Sequence, residues 1–504
     1  MRYVSLLCAL PISLTWAAVN DPVKLEAGSI SGVAGSNPAV RVYKGIPFAA
    51  PPIGDLRWKA PKAAPSWTGV KKADAYGTSC MQVPYPENSP YASENSAKIG
   101  EDCLYLNVWT GAKSAKEKRP VMVWIHGGAL TRGSGSTPNY DGEHLAEKGV
   151  IVVTVNYRLG AFGFFSHPEL TKESDRNASG NYGFLDQVAA LEWVQHNIAA
   201  FGGDPKRVTI FGESAGSWSV NVLVASPLTK GLFARAIGES GAQFEALPAL
   251  TEAEASGVRA AKAAGAESIS ALRAKSAADI MKMQVASRPV VDGYFLPKDV
   301  KSIYAEGKQN DVPLLIGSNN DEGTAFTAAT VRAEGFKNTA KSRYGELADS
   351  YLKIYPASTD DEAKKSSAAA MRDSIFGWEM RTWARAENAT GKSKVYMYYF
   401  SKVPPGEFGA KLGAYHASEI AYVFETVKDG TPADKKLSDE ISSYWVNFAA
   451  TGDPNGKNLP KWPVYDQKSD MAMGLGDKLE PMTLPHKDAL DFLDAQAARP
   501  RPAR

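Results

Sequence analysis

The sequence predicts an α/β fold, a mostly parallel central sheet flanked by helices, and three observations carry that expectation. Short β-branched runs recur along the chain. Segments with helical periodicity lie between them. One run ends in Gly212-Glu213-Ser214-Ala215-Gly216, directly before a helix-like segment. Strands alternating with helices are the pattern of a parallel sheet covered on both faces.

The runs are 120–126, 150–155, 207–211, 233–238, 312–317 and 394–400. They are short and apolar without alternation, as strands buried on both faces are. Segment 183–200 places Phe184, Val188, Leu191 and Ile198 on a helical period, and Gly202-Gly203 stop it. A helix-like segment, 217–225, follows Ser214. Two Ala-rich stretches, 252–279 and 359–387, have helical propensity and read as helical insertions near the mouth of the site.

The ends of the chain read differently. Arg2, an apolar stretch 4–14 and then Thr15-Trp16-Ala17-Ala18 make a charged region, a hydrophobic region and a small-residue cleavage site. The expectation is a signal peptide, 1–17, cut after Ala17, and a secreted protein, extracellular or periplasmic. Pro11 argues against a buried helix there. No other stretch approaches the length of a membrane span, so no stable membrane insertion is expected. Residues 496–504, with two Pro and three Arg, read as a disordered tail. Between them, 18–495 reads as one catalytic domain.

Composition excludes some functions. The 57 basic and 55 acidic residues leave a net charge of +2, which gives no electrostatic case for nucleic acid or an anionic membrane. Of three cysteines, Cys8 leaves with the signal peptide. Cys80 and Cys103 remain as an even pair in an oxidising compartment, where a disulfide is the default. No His/Cys spacing suggests a metal, and no metal or organic cofactor is expected.

The G-x-S-x-G pattern between a strand and a helix matches the nucleophile elbow of the α/β-hydrolase fold. Ser214 then sits exposed on a strained turn, with a helix N-terminus beneath it. A serine hydroxyl needs a base. In this fold the acid and then the histidine follow the nucleophile along the chain. Of six histidines, only His416 and His486 follow Ser214. His486 lies near the tail, so His416 is the base by elimination. The acid falls in Gly317-Ser-Asn-Asn-Asp-Glu-Gly323, after a strand; position leaves both Asp321 and Glu322 open. His126-Gly127-Gly128-Ala129 also follows a strand, where small residues let backbone N–H groups reach an oxyanion.

These motifs, with KGIPFAAPP at 44–52, LRW at 56–58, EDCLYLNVW at 101–109, NYRLG at 156–160, and NYG and LDQ at 181–187, make the chain resemble the type-B carboxylesterases, the family that also contains the cholinesterases. The resemblance covers nearly the whole mature chain. It implies Glu322 as the acid and His416 as the base. It implies Gly128, Ala129 and Ala215 as oxyanion donors, and a first disulfide Cys80–Cys103. Ser240 falls where the family keeps a serine near the acid, and Glu213 flanks the nucleophile. Ala129 replaces the commonest third glycine, which a negative φ would tolerate, and Leu130 stands where Phe is usual. The cell-adhesion relatives of this family lack the triad, whereas Ser214, Glu322 and His416 are all present here. A lipase would need a long apolar lid, but the loop 81–102 is polar and rich in Tyr and Pro. The expected partner is a small-molecule ester, neutral, with a short-to-medium acyl or an aryl group. The loop 81–102 has no Trp to hold a choline, and Tyr85 and Tyr91, each beside a proline, are expected to turn to solvent.

Overall fold

The computed structural model describes residues 19, 21–96, 98–328 and 330–499. The expected signal peptide and residues 500–504 of the expected tail lie outside the described residues.

An eleven-stranded sheet runs through the molecule. Its strands in chain order are β1 (Val33–Ala34), β2 (Arg41–Pro47), β3 (Tyr105–Thr110), β4 (Arg119–Ile125), β5 (Ile151–Val155), β6 (Gly203–Glu213), β7 (Arg235–Glu239), β8 (Leu314–Asn319), β9 (Val395–Phe400), β10 (Met471–Leu475) and β11 (Leu479–Thr483). The spatial order is β11-β10-β9-β8-β7-β6-β4-β5-β3-β2-β1. Every pairing from β10 to β5 is parallel. The pairings outside that block, β10 with β11 and β5-β3-β2-β1, are antiparallel. All six expected runs are strands of the parallel block.

Both faces are covered, and the strand period sorts side chains between them. Val121, Val123 and Ile125 of β4 enter one core; Met122 and Trp124, between them, enter the other. The first core receives helices α1 (Tyr182–Asn197), α2 (Ala215–Ala225) and, beyond α3 (Leu250–Ala263) and α4 (Asp360–Met371), α5 (Trp378–Thr390), through Leu191, Val220 and Trp383. The second is capped by α6 (Pro432–Thr451), which buries Ile441, Trp445 and Phe448. Helix α1 passes into a 3-10 turn and stops at Gly202, left-handed at φ 84°, as expected. The last helix, α7 (Lys487–Ala497), runs into the expected tail, so Gln496 and Ala497 are helical rather than disordered. Its Asp491 and Asp494 are held by the buried Arg381.

Register sets the site. Gly212 pairs with Ile125 on one side and Gly238 on the other, and Glu239 pairs with Gly317. The carboxyl ends of β4, β6, β7 and β8 therefore lie side by side, which is where open α/β sheets present their chemistry. Of the two Ala-rich insertions, 359–387 reaches this edge through Phe376. The 252–279 stretch packs instead with Trp58, Phe162 and Phe165, through Ile269 and Leu272. Among the described residues, no helix is long and apolar enough to cross a membrane.

Candidate active site

Ser214 sits between β6 and α2 with φ 55° and ψ −121°, a strained conformation for a residue with a side chain. Its N–H is held by Glu239 O at 2.8 Å, and its carbonyl accepts from Trp218 N at 2.9 Å. The turn is possible only because the chain passes close to β4. A Cβ on Gly216 would lie 2.0 Å from Ile125 O. Ala215 opens α2, so its N–H has no helical acceptor.

The candidate oxyanion loop lies beside it. Gly128 has φ 96°, and its carbonyl accepts from both Thr131 N and Arg132 N, at 3.0 and 3.1 Å. Ala129 and Leu130 both have positive φ, 56° and 57°. Ala129 therefore lacks the negative φ that would have made alanine tolerable there. Two consecutive residues with side chains hold the left-handed region, at a cost of about 1–2 kcal/mol each. Contacts around them fix the bend: Leu130 is fully buried, and its carbonyl accepts from Gly160 N at 2.8 Å. His126 anchors the loop from below, stacked on Tyr157, whose hydroxyl donates to His126 O at 2.8 Å. Burial pushes the His126 imidazole down to about 4, so this histidine stays neutral and structural.

Of the two adjacent carboxylates, Glu322 is the one in contact with the histidine. His416 Nδ1 lies 2.5 Å from Glu322 Oε2, and both residues are buried. The other oxygen of Glu322 accepts from Asn319 N at 2.7 Å. A carboxylate only accepts, so Nδ1 carries a proton. Nε2 faces Glu213, whose Oε1 lies 3.0 Å away. Asp321 points elsewhere, with Oδ2 accepting from Ala414 N.

Glu419, three residues beyond His416, completes the buried acids and was not anticipated. It accepts from Asn319 Nδ2 and, at 3.4 Å, from Ser240 Oγ. Ser240 thus reaches Glu322 only through Glu419 and Asn319. Nothing local marks Glu419 in the sequence beyond its place in the histidine motif. Burial, then the neighbouring acids Glu419, Glu322, Glu94 and Glu239, push the Glu213 carboxyl well above the usual range, which favours its neutral form.

Rings surround His416. Phe376 and Phe326 lie 4.6 and 5.0 Å from its imidazole. Tyr91 does not turn to solvent. It is half-buried, near Phe326 and Tyr415, and its hydroxyl donates to His416 O at 3.0 Å. The loop carrying it is closed by the expected Cys80–Cys103 disulfide. Gln82 ties the same loop to the oxyanion segment, donating to Gly133 O at 2.9 Å and accepting from Gly133 N at 2.8 Å. The face of Tyr85 is covered by the Arg132 guanidinium, 4.8 Å from the ring centre. Two clefts, of about 570 and 740 Å³, lie elsewhere and hold none of these residues. Among the described residues, no group of His, Cys, Asp and Glu could hold a metal ion.

The chain is similar to known proteins over most of its length. A sequence model described as the carboxylesterase family matches residues 20–493. Fumonisin B1 esterase of Sphingopyxis macrogoltabida is 37% identical, over 92% of this chain and 88% of its own. Liver carboxylesterase of Sus scrofa is 38% identical, over 92% of this chain and 91% of its own. A solved thermophilic PNB esterase superposes with a TM-score of 0.82 at 34% identity, covering 94% of this chain and 99% of that one.

Proposed function

Because this chain belongs to the carboxylesterase family, has the α/β-hydrolase fold and is a carboxylic ester hydrolase, we propose that it works through Ser214, His416 and Glu322 by way of an acyl-enzyme. His416 Nε2 takes the Ser214 proton as Oγ attacks the ester carbonyl. The N–H groups of Gly128, Ala129 and Ala215 receive the developing oxyanion. Glu322 holds the imidazole in the tautomer that leaves Nε2 free and stabilises the cation that forms. The same Nε2–H then protonates the departing alcohol. Water repeats the sequence on the acyl-enzyme and releases the acid.

The observation that carries this reading is the buried 2.5 Å contact of Glu322 Oε2 with His416 Nδ1. The substrates we infer are neutral esters with a short-to-medium acyl or an aryl group. We place all of this in one catalytic domain, 18–495, exported after loss of 1–17; the disulfide is consistent with an oxidising destination. An organophosphonate probe tests the scheme: its mass should appear on the peptide carrying Ser214, and Ser214→Ala should keep its Tm while losing hydrolysis. Labelling elsewhere, or activity in the Ala variant, sinks it.

A further inference from the structure

Arg132 closes the candidate oxyanion loop, and its place is fixed on both sides. Its N–H donates to Gly128 O at 3.1 Å, and its stem lies across Gly128: a Cβ there would come 2.2 Å from Arg132 O and 3.0 Å from Arg132 Cγ. The next residue, Gly133, is held through its N–H and its carbonyl by Gln82, at 2.8 and 2.9 Å. Gln82 belongs to the disulfide-closed loop that carries Tyr85. This tie sets the two segments side by side, and the Arg132 guanidinium lies over the Tyr85 ring, 4.8 Å from its centre.

Elsewhere Arg57, Arg158, Arg372 and Arg381 face carboxylates, those of Glu101, Asp186, Asp373 and Asp491. Among the described residues the Arg132 guanidinium has no carboxylate and no hydrogen-bond acceptor; the Tyr85 ring is its contact. That ring belongs to the site. Tyr85 lies 5.4 Å from the ring of Tyr91, whose hydroxyl donates to His416 O. After burial, the Glu94 and Glu213 carboxyls push the Tyr85 phenol above its ordinary value, and Arg132 opposes them. Glu213 is the residue whose Oε1 lies 3.0 Å from His416 Nε2.

The alcohol half of an ester leaves towards His416, which protonates it, and so towards Tyr91 and Tyr85. An electron-rich ring beside carboxyls is what a quaternary ammonium seeks. Here the ring face already holds a cation of the protein's own, with no counter-ion to cancel it. A cationic alcohol would have to displace it or approach it against like-charge repulsion. We propose that Arg132 sets the charge specificity of this enzyme: by keeping its guanidinium on the Tyr85 face, it bars esters of cationic alcohols. Excluding the wrong ligand is as much a part of specificity as binding the right one. The inference deepens the reading of Ser214 and His416 as nucleophile and base, and rests on it.

The test compares kcat/KM for butyrylcholine and for 3,3-dimethylbutyl butyrate, its uncharged isostere, on the full-length wild type and three variants. Arg132→Gln should raise the ratio of charged to neutral ester at least about ten-fold, through faster turnover of the charged one. Arg132→Lys keeps a cation there and should hold the ratio within about three-fold of the wild type. Adding Tyr85→Leu to Arg132→Gln should abolish the gain, since the uncovered ring is then gone. Arg132→Met serves if the Gln variant fails to fold. A ratio unchanged within about two-fold in the folded Gln or Met variant overturns the proposal. So does a Lys variant that matches Gln, a gain that survives Tyr85→Leu, or a rise that comes only from a slower neutral ester. Organophosphonate labelling separates the two readings: a variant that labels at Ser214 with an unchanged ratio refutes the role of Arg132 alone, and a wild type that does not label there refutes the nucleophile.

Discussion

Asp321 Oδ2 accepts the backbone N–H of Ala414 at 2.9 Å, while Asp321 N donates to Ala414 O at 3.0 Å. The residue before the proposed acid thus clamps the loop that carries the proposed base. Two adjacent carboxylates share one loop and do different work: one holds the imidazole, the other holds the backbone under it.

The clamp and the acid should separate in kinetics. Glu322→Gln puts a neutral amide against Nδ1 and permits the wrong tautomer, so kcat should fall by about 10³–10⁴ with the fold intact. Asp321→Asn keeps an oxygen acceptor for Ala414 N and should lower kcat less than about ten-fold. Steady-state rates with p-nitrophenyl acetate, beside a melting curve, decide it. The reverse order would exchange the two roles.

The left-handed Ala129 makes the oxyanion loop selective for small residues. Ala129→Gly should keep kcat within about three-fold, since glycine holds φ 56° without strain. Ala129→Val puts a β-branched residue there and should cost about 1–3 kcal/mol of stability and at least ten-fold in kcat. Equal activity of the two variants would mean that Ala129 N–H does not serve the oxyanion.

Stability should fall as pH rises from about 4.5 to about 8. Burial, its largest cause in each case, raises Glu239, Glu379 and Glu387 to about 8. Between that value and their unfolded pKa, near 4.3, the folded protein holds protons that the unfolded chain has released. The stabilisation is complete below the lower value and is gone above the upper. Glu379→Gln keeps an acceptor for Phe244 N, now 2.8 Å from Oε2, but has no proton to lose. Its Tm advantage over the wild type should grow by about a few degrees between pH 5 and pH 9. An advantage that is constant with pH would show that Glu379 does not titrate as argued.

Choline esters should be poor substrates. The loop 81–102 offers no Trp, the face of Tyr85 is already covered by Arg132, and Glu213 favours its neutral form. A missing cation–π contact is worth about 2 kcal/mol, or roughly thirty-fold. Butyrylcholine should therefore show kcat/KM at least about ten-fold below its uncharged 3,3-dimethylbutyl isostere. Parity between them would mean that Tyr91, Tyr415 or another ring rebuilds a cation site.

The central strands are legible in the sequence because burial on both faces forces unbroken β-branched runs. The outer ones are not. Strand β2 is interrupted by an irregularity between Tyr43 and Ile46 against β3, and β11 carries Pro481, so neither shows a clean period. Helix α6 has its signals, with Leu437, Ile441, Tyr444, Trp445 and Phe448 on one stripe behind the Thr431–Asp434 capping box, yet the charged run 434–440 obscures them. In the site, the elbow, the histidine and the glycines are visible because their chemistry needs particular residues at particular spacings. Glu419 and Tyr91 are not, because what matters in them is where the fold turns the side chain, and no spacing records that.

The approach of Gly216 to Ile125 O has a consequence for how such an enzyme can change. Nucleophile and oxyanion loop are welded at one point, and no side chain can be introduced there without parting them. The walls of the pocket have no such weld. Tyr91 hangs in a disulfide-closed loop, Phe326 follows β8 in a surface turn, and Phe376 rides on an insertion between β8 and β9. Laboratory selection for new esters should therefore accumulate substitutions in those segments and leave 125–128 and 212–216 untouched, so that new substrates are acquired without renegotiating the chemistry.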